Sequence, residues 1–195
     1  LGEHVDQGSR AITDVLAECG VTLWLERWRV LVMLVVLRVY LRVRGLAFVR
    51  RESSEIAPMT LARIDTLLAA ATGLSTIDFV VAAAYGARSL IEALRAGDPW
   101  RVCRMLVLEA QFEATGGHGA RAHVKKLIDA ARGLADGLRR PDIDALITAG
   151  VGGAALFQGE WRRSYDHLAK ALEFYEDIGE GGRALEGENF TQRWE

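Results

Sequence analysis

Histidines 4, 118, 123 and 167 are the first residues to weigh as metal ligands or general bases. A zinc site on helices uses two histidines four residues apart or a cluster of cysteines. No two of these histidines are four apart, and His118 and His123, five apart, do not share a helix face. Cys19 and Cys103 lie far apart with no second pair. They read as two inert thiols in a reducing cytoplasm rather than a metal or disulfide framework. Asp65 and Asp78 are the carboxylates most easily imagined as an acid–base pair. Asp78, however, closes a Ser75-Thr-Ile-Asp78 capping box ahead of an apolar run. Asp65 is expected to pair with Arg63 or with an arginine of the basic helix described below. Ser75 invites a triad reading, but no strand–turn–helix elbow surrounds it.

Phosphate chemistry fares no better. "TAGVGGAAL" (148–156) has the glycines of a phosphate loop but sits in a helical pattern without a following strand lysine, so close helix packing explains it. "ATGGHGARAHVKK" (114–126) lacks the GxxxxGK[ST] order. A protein kinase also needs a glycine-rich loop, an HRD-type base and a DFG-type metal ligand, and none is present. Trp24, Trp28, Trp100 and Trp161 read as packing anchors. The expectation is a chain that is not itself an enzyme and binds no cofactor or metal.

The elements carrying these residues are helices. Ser9 caps a first helix that ends near Gly20, and a basic helix follows over about 21–44, stopped by Gly45. A connector, "AFVRRESSEIAP", precedes a helix opened by Met59 or Thr60 and ended by Gly73. The next helix runs from the capping box to Gly97. Asp98 before Pro99 is a strong start signal, and that helix stops at Gly116-Gly117. Further helices cover 119–138 and the run opened by Asp142 or Asp144, which Gly159 breaks. The last covers 160–178. An acidic, glycine-rich tail, 179–195, is expected to be weakly ordered.

The most apolar stretch, "WRVLVMLVVLRVYLRVRG" (28–45), poses a membrane question. A span needs about 20 mostly apolar residues. The uninterrupted run here is Val30 to Leu37, about 12 Å of helix at 1.5 Å per residue. Arg38 would fall inside any longer window at considerable cost. The stretch therefore reads as a helix buried between neighbours, with Arg27, Arg38 and Arg42 reaching water along one margin.

Two helices of similar texture, "HVKKLIDAARGLADG" and "RSYDHLAKALEFYEDI", recur about 40 residues apart, a spacing typical of stacked helix hairpins. The last hairpin, "GGAALFQGEWRRSYDHLAKALEF", resembles a tetratricopeptide repeat. Gly152, Ala155, Gly159, Trp161, Leu168, Ala171 and Leu172 sit at that repeat's small and apolar positions. Ser164 and Glu176 depart from it, standing where alanine and proline are usual. Gly152 and Ala171 would let the helices approach, with Trp161 and Leu168 filling the gap.

A second resemblance covers roughly residues 38–178. "RGLAF", "RRESSEI", "RID", "ATGLSTIDF", "GAR" and "ALRAGDPWRV" follow in an order similar to that of the C-terminal helical-repeat region of large bacterial serine/threonine protein kinases. The resemblance implies a non-catalytic end of a signalling protein. ATP and magnesium would belong only to a kinase domain outside this chain.

With 195 residues, half of them hydrophobic, and a formal net charge of −2, nothing global points to nucleic acid. Charge is uneven: residues 21–51 carry seven arginines against Glu26, and residues 173–195 seven acids against two arginines. The expected fold is all-α, antiparallel helix hairpins stacked as a tetratricopeptide-like α-solenoid over 1–178. The chain reads as a fragment of a longer cytoplasmic protein, with no membrane span and no direct nucleic-acid contact. Its partner would be a protein, a peptide or a neighbouring domain, with Leu146, Leu156 and Phe157 as a candidate surface. The alternative is an effector-sensing helical-repeat domain of a transcription regulator.

Overall fold

A computed structural model describes residues 27–138, 140 and 142–178. The expected helix over 9–20, Trp24, and the tail 179–195 lie outside them. Seven helices carry the described chain: α1 Arg27–Arg44, α2 Pro58–Leu74, α3 Phe79–Ala96, α4 Pro99–Ala114, α5 Arg121–Leu138, α6 Asp142–Phe157 and α7 Trp161–Ile178. Short 3₁₀ turns occupy Ser53–Glu55 and Gly117–Ala120. No strand occurs among the described residues, so the protein is all-α as its periodicity predicts. Helices α5 and α7 are each 18 residues long and begin 40 residues apart, at 121 and 161.

The start and stop signals are local chemistry. Asp98 caps α4, accepting from the Arg101 N–H at 2.8 Å, and Pro99 takes the first position, where its missing N–H costs nothing. Pro58 does the same for α2, so that helix opens one residue before Met59. Asp78 is itself the cap of α3, accepting from the Val81 N–H at 3.2 Å. The capping box expected from Ser75 is not formed, because Ser75 belongs to the end of α2 and its hydroxyl donates to the Thr72 carbonyl at 2.7 Å. Gly73 lies within the last turn of α2 rather than beyond it.

The chain divides into two compact units at Met105–Leu106, inside α4. In the first, α3 packs against both α1 and α2. Its alanines make this possible: Ala82, Ala83, Ala84, Ala87 and Ala93 are all buried. Ile64, Leu67, Leu90 and Leu94 fill the remaining space. In the second unit α7 and α5 both pack on α6. Glycines of the 148–156 stretch set those approaches. A Cβ on Gly150 would meet Val107 of α4 at 2.2 Å, and one on Gly152 would meet Leu168 of α7 at 2.8 Å. The packing reading of "TAGVGGAAL" is thereby borne out.

Helix α1 departs from expectation. Only Val30, Leu34 and Leu41 are buried. Trp28, Leu31, Val32, Val35, Val36, Val39 and Val43 are exposed, so the helix is not enclosed by neighbours among the described residues. Arg42 does reach solvent, but Arg38 is half-buried. No helix among the described residues is long and apolar enough to cross a membrane.

Candidate functional site

Asp65 and Asp78, the carboxylates weighed as an acid–base pair, serve as an ion-pair partner and a helix cap. Asp65 pairs with neither Arg63 nor the basic helix. It receives a two-pronged guanidinium from Arg101, at 3.0 Å and 2.5 Å. Arg63 instead reaches Glu92 at 2.9 Å, which Arg88 also meets, at 3.3 Å. Arg101 turns its other nitrogen to Asp98 at 3.3 Å, and the Ser53 hydroxyl donates to the same carboxylate. The Arg51 N–H donates to the Gly97 carbonyl at 2.9 Å. Ser53, Asp65, Gly97, Asp98 and Arg101 all come from the stretches "RRESSEI", "RID" and "GDPWR". They form one clasp, which ties the connector after α1 to the turn between α3 and α4. Within it Arg101 bridges the Asp65 and Asp98 carboxylates.

Among the described residues, no three His, Cys, Asp or Glu side chains gather as metal ligands. Cys103 is buried.

What stays open in the second unit is apolar. Helix α6 ends in a Schellman arrangement around Gly159, whose φ is +74°. The Glu160 N–H reaches back to the Ala155 carbonyl at 2.9 Å, and the Gly159 N–H to that of Leu156 at 3.0 Å. The chain then reverses into α7. Glu160 stands at its N-terminus, where a carboxylate complements the helix dipole. Arg163 holds Glu160 at 2.8 Å and Arg121 of α5 pairs with it too. The hydrogen bond from Arg163, with both guanidinium charges, keeps that carboxyl below its ordinary range although burial opposes the charge.

Two stripes on α7 result. Ser164 and Ala171 face α6 and are buried. Beside them Trp161, Tyr165, Leu168 and Leu172 stand at spacings of four, three and four, the interval that keeps side chains on one helix face. All four are exposed, Trp161 at 69% and Tyr165 at 74%. Trp161 therefore does not fill the gap between α6 and α7, and Trp28, 63% exposed, is no packing anchor of the described fold. Leu168 does lie against Gly152, as expected, but its outer edge remains in water.

Of the three side chains expected to form a surface, Leu156 and Phe157 are exposed at the α6–α7 turn, and Leu146 is half-buried. Leu146 and Phe157 lie eleven residues apart, about 16 Å along the axis at 1.5 Å per residue. The sequence reading missed Trp161, Tyr165 and Leu172 as surface residues. Their spacing was visible, but an apolar stripe looks the same whether a neighbour covers it or not.

No protein-family model matches the chain, and no curated protein or solved structure matches it either.

Proposed function

We propose that this chain is a non-catalytic helical-repeat scaffold, a tetratricopeptide-like solenoid segment that binds a protein partner or a neighbouring domain. The exposed Trp161-Tyr165-Leu168-Leu172 seam carries the reading. An apolar stripe of this spacing accepts an amphipathic helix laid along it, with side chains at i, i+3, i+4 and i+7 as anchors. Leu156 and Phe157 extend the seam at the α6–α7 turn. Tryptophan and tyrosine suit the role because they supply large contact areas with few rotatable bonds.

The resemblance to the repeat region of bacterial serine/threonine protein kinases makes the kinase part of the same protein the partner to test first. In this reading the chain works in the cytoplasm, takes no cofactor, and acts by presenting a surface. The test supplies that kinase domain in trans. Wild-type chain binds it, and the double variant Trp161→Ser/Tyr165→Ser binds at least about tenfold more weakly, the loss of a hot-spot pair. Equal binding by the two would remove the seam from the interface. A helix-turn-helix domain in place of a kinase, encoded upstream in the same reading frame, would overturn the kinase assignment.

A further inference from the structure

Helix α1 has two apolar faces. At about 100° per residue, Val30, Leu34 and Leu41 fall within about 40° of one another, and these are the buried ones. Trp28, Val32, Val35, Val39 and Val43 fall within about 80° on the opposite side, and all five are exposed, Val43 at 84%. From Trp28 to Val43 this outer band runs about 22 Å along the axis. Arg42 and Arg29, both exposed, flank it at about 20° and 40° beyond its two edges. Arg50 and Arg51 are exposed a few residues past the end of the helix. Residues 27–51 hold seven arginines and no acid.

We propose that the outer band of α1 docks on the surface of an anionic phospholipid bilayer, with the helix lying in the plane of the headgroups. Charge carries the choice of partner. An apolar stripe edged by arginines sinks to the boundary between headgroups and acyl chains. The arginines then stand at headgroup level, where forked guanidiniums meet lipid phosphates. A cluster of basic residues on an amphipathic helix is the pattern that anionic leaflets attract. Trp28, 63% exposed at the start of the helix, suits the same depth, since indole rings collect at membrane interfaces. A second copy fits less well, because two α1 helices would set five arginines against five. A protein partner also fits less well. Interfaces of that kind are anchored by aromatic side chains near their centre, whereas this band is valine with its single aromatic at one end. A bilayer asks for no central anchor and no register.

Vesicle sedimentation of the full chain tests this. Wild type should partition onto equimolar phosphatidylglycerol–phosphatidylcholine vesicles at least about tenfold more strongly than onto phosphatidylcholine alone, and added salt should weaken the binding. Val35→Ser/Val39→Ser, which removes apolar contact and no charge, should lower partitioning onto the anionic vesicles at least about tenfold. Arg29→Gln/Arg42→Gln should lower it too, but leave the weak binding to phosphatidylcholine as it was. Both pairs are exposed, and wild-type helicity and melting of each variant separate lost binding from lost fold. No binding to anionic vesicles, equal binding to both kinds, or full binding by a folded Val35→Ser/Val39→Ser would overturn the proposal. So would loss of binding in Trp161→Ser/Tyr165→Ser alone, which would make the α7 seam the lipid face. A wild-type dimer in light scattering that Val35→Ser/Val39→Ser dissociates would overturn it in favour of a second copy. Loss of kinase-domain binding in that same variant would overturn it in favour of a protein partner.

Discussion

The carbonyl oxygen of Val49 lies 2.3 Å from where a Cβ on Gly97 would begin. Gly97 also holds a φ of +89° at the end of α3, a conformation glycine adopts without steric cost. Two independent reasons therefore exclude a side chain there. Gly97→Ala is expected to lose about 1–3 kcal/mol from backbone strain alone, with more as the connector is pushed off the turn. Urea denaturation measures it, and an unchanged midpoint would refute the clasp.

Arg101 should behave as the centre of that clasp. Burial disfavours its charge, yet hydrogen bonds and charge from Asp65 and Asp98 outweigh this and hold the guanidinium above its ordinary pKa. Arg101→Leu leaves the buried Asp98 carboxylate with one cation fewer and is expected to cost about 1–3 kcal/mol. Arg101→Lys should recover only part of the loss, because an ammonium cannot fork onto the two oxygens of Asp65. Thermal melts of the three proteins give the order.

Two glycines inside helices are expected to respond with opposite sign. A Cβ on Gly133 in α5 would point into open space. Gly133→Ala should therefore stabilise by about 0.5–1 kcal/mol through helix propensity. Gly152 faces Leu168, so Gly152→Val should destabilise by about 1–3 kcal/mol through overpacking. If both variants shifted the melt in the same direction, close approach of α6 and α7 would not be what fixes Gly152.

Tyr85 gives an alkaline signature. Burial pushes its phenol from 10.0 up to about 12, against the pull of the Arg88 charge. Between those values the unfolded chain ionises this tyrosine and the folded chain does not. The folded state thus binds more protons, and stability falls as pH rises. Tyr85→Phe is expected to flatten that part of the stability–pH curve, and ultraviolet titration should show one fewer late-ionising phenol.

The seam on α7 should be nearly silent in stability. Trp161 and Tyr165 are mostly solvated, so Trp161→Ser and Tyr165→Ser are expected to change unfolding free energy by no more than about 0.5 kcal/mol. A larger loss in circular-dichroism melts would mean that these rings support the fold.

The helices were legible because their ends are written in short-range chemistry. Asp98-Pro99 and Gly159 each act within a turn or two of chain. Ion-pair partners were not legible: Asp65 meets Arg101, 36 positions away, rather than the adjacent Arg63, and only packing decides that. The state of a face was hidden for the same reason. Periodicity places Val32 and Leu34 on opposite sides of α1, but both are apolar, and nothing local says which side meets α3. Trp161 was for the same reason expected between α6 and α7, although its ring is exposed.

The outer band of α1 is built largely of valine: Val32, Val35, Val36, Val39 and Val43. A helix already confines a β-branched side chain to one χ1 well. Whatever lies down on this band thus freezes almost no rotamers on the α1 side. Leucine or methionine at the same five places would enter the interface with freedom still to lose, up to about 0.5–2 kcal/mol per side chain. The band is ordered before anything touches it.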